Sequence, residues 1–379
     1  MEKPTPDRRF PSDRGNPLQG LPAETSIRQE GPTITGREGP AAADPLRWGL
    51  VGTGGVADFF AADLQAAENA LPVAVASRDA GRAAAFADML GIPAHYGDAE
   101  HMFADDTVEL VYIATPPATH HALARAALKA GEHVVVEKPI ATNAAQAGDL
   151  VDAAKHAGLF LMEAMWMKFS PVVQDLLRIV EDGAVGTVQS VRASFGLPFP
   201  AGVGSRWSAD LGGGALFDQG IYPFTLARML LGEAASFSAS GMWHASGVDT
   251  AERVTVEYPH GRFAQLASSM VEYIEPSASV NGTDGWITLE APFWATRSMT
   301  VHRGGIASAL MEPERLEYKV EGNGYVPMIR AIGRAVREGL LEHPVHSHAD
   351  MLAITDILER VRANLEDTKS DGPTRVGTA

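Results

Sequence analysis

Short apolar runs alternate with stretches of helical period from Leu46 to Met162. Leu46-Arg47-Trp48-Gly49-Leu50-Val51 reads as a buried strand, and a helical stretch follows to about Ala67. Strands are predicted again at Leu71–Ala76, Val108–Ala114, His133–Val136 and Leu159–Met162. Helices are predicted between them at Asp79–Leu90, Ala118–Ala130 and Asn143–His156. Strand and helix in regular alternation mean parallel strands with helices on both faces. After Glu163 the texture changes. Helices are predicted at Pro171–Glu181 and Ala215–Leu231, then long alternating segments follow. Arg253 to Tyr258 puts Val254, Val256 and Tyr258 on one face and Arg253, Thr255 and Glu257 on the other. Pro259-His260-Gly261 turns the chain, and Arg262 to Met270 returns, a hairpin with one face buried. Few helices remain to cover the outer face of such a sheet, and an uncovered apolar face needs a partner. Tyr325–Glu338 and Ala349–Asn364 are the expected closing helices, and no internal repeat is visible.

Composition adds bounds. A chain of 379 residues suggests two domains. Seven prolines and five glycines in residues 1–44 predict a disordered extension, and residues 366–379 read as a flexible tail. The expected domains are then 45–165 and 166–365. A net charge of −16 speaks against nucleic acid as a partner, because phosphate binding needs a basic face. No apolar run reaches the ~20 residues of a membrane span, so no membrane is expected. Arg8-Arg9-Phe10 is followed at once by Pro11, and no hydrophobic stretch precedes residue 44. No export signal is read, and the expected compartment is the cytoplasm. The absence of cysteine removes disulfides, thiolate nucleophiles and cysteine-ligated zinc.

The first strand runs straight into Gly52-Thr53-Gly54-Gly55-Val56-Ala57, a G-x-G-x-x-A pattern at a strand-to-helix junction. Gly52 allows the tight turn, Gly54 lets backbone approach a pyrophosphate, and Ala57 lets the helix pack close to its strand. The phosphates would sit on unpaired helix N–H groups. The next strand ends at Ser77-Arg78, where an NAD site usually carries an acid. A hydroxyl and a guanidinium suit a 2′-phosphate. NADP(H) is therefore the expected cofactor, with NAD(H) possible, and Asp79 is expected to cap the following helix. Thr115 and Pro116 follow a strand and belong to the same crevice, and His120 either faces the nicotinamide or bonds within its turn.

Glu137-Lys138-Pro139 follows the Val-Val-Val run and brings an acid and a lysine to the crevice. Gly212-Gly213-Gly214 opens the segment carrying Asp218 and Tyr222, whose i, i+4 spacing puts both on one helix face. A tyrosine acid/base needs its pKa of ~10 brought toward neutrality, which a nearby lysine would do. The alternative is a helix cap and a core tyrosine. Trp166, Phe199, Arg206 and Trp207 flank these motifs as substrate-pocket candidates, since aromatic rings suit the apolar faces of a cyclic substrate. Burial in the core is the alternative for each. His343, His346 and His348 fit no zinc spacing, so no metal is assigned.

Taken together, VGTGGVA, ATPPATH, VVEKPIA and GGGALFDQGIY resemble the glucose–fructose oxidoreductase and inositol dehydrogenase (Gfo/Idh/MocA) family over about residues 46–365. The tyrosine form of the last motif and the stretch from Glu163 to Pro171 resemble its dimeric dihydrodiol dehydrogenase and glucose–fructose oxidoreductase branch. The resemblance implies an α/β fold: a doubly wound Rossmann domain, then an α/β domain with a large, mostly antiparallel open sheet. It implies Lys138 near the reacting hydroxyl, Tyr222 as acid/base and Asp218 beside them. It implies a sugar-like or cyclic diol substrate, and a homodimer or dimer of dimers through the open sheet. Two other readings stand beside the dehydrogenase. One is a glycosidase that uses the dinucleotide transiently. The other is a redox sensor without turnover, against which the joint retention of Lys138, Asp218 and Tyr222 speaks.

Overall fold

The computed structural model describes residues 44–370. The expectations placed on residues 1–43 and 371–379 lie outside the described residues. Six strands form the first sheet: β1 (Leu46–Val51), β2 (Ala70–Ala76), β3 (Ala94–Tyr96), β4 (Leu110–Ile113), β5 (His133–Val136) and β6 (Leu161–Glu163). All pair in parallel in the order β3-β2-β1-β4-β5-β6. The strand order reverses between β1 and β4, which opens a crevice at their carboxyl ends. Helices α1 (Gly55–Ala66), α2 (Ala80–Leu90), α3 (Ala99–Phe103), α4 (His120–Ala130) and α5 (Ala144–Ala157) make the crossovers. Their ends are written locally. Asp79 caps α2 by accepting from the Arg82 N–H, as expected, and Asn143 caps α5 through the Gln146 N–H. Gly91 and Gly158 close the same helices in the left-handed region, at φ 66° and 68°. β3 and α3 are additional to the expected elements, because three to five residues leave no period to read.

The second sheet has eight strands in the order β14-β13-β12-β11-β7-β10-β9-β8. They are β7 (Val188–Gly196), β8 (Ser236–Trp243), β9 (Asp249–Tyr258), β10 (Arg262–Ser269), β11 (Ala278–Gly282), β12 (Gly285–Leu289), β13 (Ser298–Arg303) and β14 (Glu314–Glu317). Only β7 and β10 pair in parallel. The expected hairpin is β9–β10, with Val254, Val256 and Tyr258 buried and Arg253 and Glu257 exposed. Remaining helices are α6 (Pro171–Glu181), α7 (Ile221–Leu231), α8 (Ile306–Met311), α9 (Val326–Arg337) and α10 (His348–Ser370).

Three features of the structure bear on these expectations. First, the open face of the second sheet is polar: Arg192, Ser194, Ser238, Ser240, Arg253 and Gln265 line a groove of about 720 Å³ there. The hydrophobic argument for a partner on that face lapses. Second, the 165/166 boundary divides the sheets but not the helices. α9 returns to the first sheet, where the Asn69 side-chain amide donates to the Arg330 carbonyl at 3.0 Å and Arg337 pairs with Glu109 at 2.7 Å. Third, α10 runs to Ser370, past the expected end at 365.

Candidate active site

The loop after β1 is built for close backbone approach. Gly52 has φ 112°, and a Cβ on it would lie 2.5 Å from the Ala114 carbonyl oxygen. A Cβ on Gly54 or Gly55 would meet nothing within 4 Å. No packing within the protein demands glycine at either position, so the open space before them is what their small size preserves. Gly54 precedes α1 and offers no side-chain cap, which leaves the first N–H groups of the helix facing that space. Thr53 Oγ1 is buried without a hydrogen-bond partner among the described residues. These features fit a dinucleotide pyrophosphate. Val56 is exposed on the first turn. At the end of β2, Ser77 is half-buried and Arg78 exposed, while Asp79 is engaged as the α2 cap.

The loop after β4 is cross-braced. Thr115 and Thr119 hydroxyls meet at 2.7 Å, and the Pro116 carbonyl accepts from the Thr119 N–H and hydroxyl. His120 is buried, and its two ring nitrogens lie 2.8 and 2.7 Å from the Pro139 and Thr115 carbonyl oxygens. It ties the loop after β4 to the loop after β5, bonding beyond its own turn as well as within it.

Glu137 and Lys138 leave β5 in opposite directions. Glu137 turns inward, where its carboxylate accepts from the Tyr112 hydroxyl at 2.7 Å and from the Lys138 N–H at 3.0 Å. Burial pushes its pKa up to about 7 against the opposing pull of Lys138. The Lys138 ammonium donates to both the carboxylate and the carbonyl of Asp218, each at 2.7 Å. Arg206 pairs with the other Asp218 oxygen and lies over the Phe199 ring at 4.1 Å. Burial opposes charge on Asp218, yet Lys138 and then Arg206 hold its carboxyl well below the usual range. Burial likewise opposes charge on Lys138, yet Asp218 first, then Tyr222 and Glu137, keep it above the ordinary lysine value.

Asp218 does not sit on an ordinary helix. Gly212 to Gly214 lead into a π-helical turn, Leu216–Gly220, which then runs into α7. A π-turn closes over five residues, so a spacing of four does not stack the two side chains as the sequence suggested. Lys138 joins them instead, its Nζ 5.2 Å from the centre of the Tyr222 ring. The glycines are demanded locally: a Cβ on Gly213 would fall 2.4 Å from the Arg206 carbonyl, and one on Gly214 within 2.3 Å of Asp249.

Tyr222 is buried, and its hydroxyl oxygen accepts from the Trp166 indole N–H at 3.1 Å. The expected fall in its pKa is not found. Burial pushes it up to about 12, and the Lys138 cation offsets only part of that. Trp166 joins the cluster through the Tyr222 oxygen and Phe199 through Arg206, while Trp207 is buried in a small core with Ala215, Val248 and Met270, against which Phe199 also packs. Three aromatic neighbours escaped sequence reading. Trp294 stacks on Phe195 at 3.4 Å, and both flank the Tyr222 ring, at 6.1 and 5.8 Å. Tyr325 arrives from the far end of the chain, because buried Asp63 on α1 accepts from the backbone N–H groups of Asn323 and Tyr325. No local signal marks these residues, since their roles depend on separate chain segments brought together by the fold. His346 and His348 are buried and bound to the Glu163 carboxylate and the Leu161 carbonyl. Among the described residues no three potential metal ligands converge.

Residues 46–165 match the model of an oxidoreductase family with an NAD-binding Rossmann fold, and 173–288 match the GFO/IDH/MocA C-terminal domain. The chain belongs to the Gfo/Idh/MocA oxidoreductase family. It is 34% identical over 325 residues to trans-1,2-dihydrobenzene-1,2-diol dehydrogenase of Macaca fascicularis, covering 84% of this chain and 96% of that one. The human enzyme of the same name is also 34% identical over 325 residues, with the same coverage. A 3-ketoreductase from Actinomadura kijaniata, solved with NADP and TDP-benzene, superposes with a TM-score of 0.75 at 27% identity, over 85% of this chain and 98% of that one. An aldose–aldose oxidoreductase from Caulobacter crescentus shares the fold, with a TM-score of 0.77 at 22% identity over 86% and 98%.

Proposed function

We propose that this family member is an NADP-dependent dehydrogenase or reductase acting on a hydroxyl-bearing carbon of a dihydrodiol, cyclic polyol or sugar. One observation carries the reading: a lysine cation held between a carboxylate and a tyrosine, at the same carboxyl-end edge of the parallel sheet as a loop fitted for a dinucleotide. When bound, the nicotinamide supplies the hydride acceptor or donor. The protein's task is then the proton and the alignment. Lys138 stays charged, so it serves as a fixed cation for the substrate oxygen, and two of its bonds to Asp218 hold it in place. Tyr222 carries the proton. With its pKa up at about 12, it is protonated at neutral pH and set to donate to a developing alkoxide. Alcohol oxidation uses the same residue in its ionised form, so that direction gains with rising pH. Arg206 and Phe199, stacked on one another, are the proposed substrate contacts, with Trp166 at the Tyr222 hydroxyl.

The cofactor preference rests on Ser77-Arg78, with no free acid at the end of β2, and on the NADP found in the related ketoreductase. Arg78→Ala is expected to weaken NADPH far more than NADH, through loss of a charge-assisted phosphate contact. Equal losses in a fluorescence titration would remove the NADP assignment. We also propose a cytoplasmic homodimer; with the open face of the second sheet polar, pairing there would use polar contacts and not apolar burial, and a monomer in sedimentation at micromolar protein removes that part. The functional test is an absorbance screen of NADP⁺ and NADPH with dihydrodiols, cyclic polyols, aldoses and ketosugars. Net change in nicotinamide absorbance is expected for at least one class. Cleavage of a glycoside without net change contradicts the reading.

A further inference from the structure

A tyrosine hydroxyl has one proton to donate and lone pairs to accept, whereas an indole can only donate. The 3.1 Å contact between Trp166 Nε1 and the Tyr222 oxygen is therefore one-directional. The indole is pinned from its other side as well. Gly324 has φ 104°, and a Cβ there would lie 2.9 Å from the Trp166 ring; Tyr325 packs on the same ring at 5.3 Å. Trp166 itself is buried, in the short turn that follows β6.

We propose that Trp166 is a positioning residue for the proton transfer: its N–H fills one lone pair of the Tyr222 oxygen, turns the tyrosine's own proton toward the substrate, and favours the ionised oxygen. This rests on Tyr222 being the acid/base. The other groups facing Tyr222 do different work. Lys138 gives a cation from the loop after β5, Glu137 and Asp218 add negative charge, and Tyr112 and Tyr325 are titratable neighbours from β4 and the start of α9. Phe195 and Trp294 present only apolar ring faces to it. Trp166 alone is recorded donating a hydrogen bond to the Tyr222 oxygen among the described residues, and it brings no charge of its own.

The test is a cycle of W166F, Y222F and the double variant. W166F keeps an aromatic ring and removes the N–H. Below the basic limb, alcohol oxidation is expected to fall about tenfold in kcat, with the limb displaced upward by roughly one pH unit, the size of one hydrogen bond to an ionised oxygen. NADPH affinity should not move. Added to Y222F, where no oxygen remains to be held, W166F should cost nothing further. If W166F lowers activity equally in both backgrounds, or leaves the pH profile in place, the inference is wrong. A Y222F enzyme with near wild-type turnover removes the Tyr222 reading instead, so the two failures are separable. If W166F does not fold, the unaltered chain made with 5-fluorotryptophan, a stronger N–H donor, should show the limb moved downward; an unmoved limb overturns the proposal.

Discussion

Two carboxyls, one half-buried and one fully buried, lie on either side of the same π-turn and behave in opposite ways. Asp218, within Leu216–Gly220, is bonded to Lys138 and Arg206 and is held ionised well below the usual range. Glu252, on β9, lies under the last residue of that turn, where a Cβ on Gly220 would come within 2.8 Å of it. Neither of its carboxyl oxygens has a hydrogen-bond partner among the described residues, and burial drives its pKa well above the usual value. Glu252 lies deeper than half-buried Asp218, but both are desolvated, and depth alone does not set which one keeps its charge. The cations do. A buried acid keeps its charge only where paired cations outweigh desolvation, and otherwise keeps its proton. The π-turn thus has a charged side, bonded to Lys138 and Arg206, and a neutral side that meets the sheet.

Removing the cation breaks the contrast most severely. Lys138→Met is expected to lower kcat by about 10²–10⁴-fold or more, the size of losing a positioned group in proton transfer. It should also let the Asp218 carboxyl rise toward ordinary values. Steady-state kinetics across pH read both effects, and a small loss would mean that Lys138 is only structural.

Removing the anion comes next. Asp218→Asn leaves a half-buried ammonium without its carboxylate and should cost about 1–3 kcal/mol of stability at neutral pH. Asp218 has a lowered pKa in the folded state, so its contribution is present above the unfolded value of 3.8 and is lost as pH falls through the folded value. The gap between wild type and variant in denaturant titrations should therefore close below about pH 4. A gap that is constant with pH contradicts the assigned charge.

The smallest effect falls on the neutral side. Glu252→Gln replaces an acid that already holds its proton, so turnover should change less than about twofold. Its folded pKa is raised, so wild-type stability is full below the unfolded value and declines as pH rises toward the folded one. The glutamine variant lacks that decline. Its advantage should grow from pH 5 to 8 with a limiting slope of about 1.4 kcal/mol per pH unit. Parallel stability curves would mean that Glu252 is ionised.

This contrast was only half legible in the residues. Asp218, Lys138 and Tyr222 stand in short motifs at strand and helix ends, where a local pattern carries the information. The parallel sheet was legible for the same reason, since each strand and its crossover helix are neighbours in sequence. Glu252 shares the parity of the inward Val254, Val256 and Tyr258, but the strand was legible only from Arg253, and Val248 to Ala251 just before it are buried on both faces and hide the alternation. In the sheet it pairs with Ser268 of β10. The rise of the Tyr222 pKa was missed because desolvation depends on Trp294, Phe195 and Tyr325, all brought in from distant segments. The polar open face of the second sheet was misjudged because alternation shows that one face is buried, not what the other face carries.

The central claim is that Tyr222 moves the proton while Lys138 stays a fixed cation. Tyr222→Phe, measured as kcat for oxidation and reduction over the accessible pH range beside NADPH affinity by fluorescence, tests it most directly. The account predicts a loss of about 10²–10⁴-fold in kcat, disappearance of the basic limb, and NADPH binding within about twofold of wild type. Near wild-type turnover with the limb intact would contradict it, and the proton would then have to pass through Lys138.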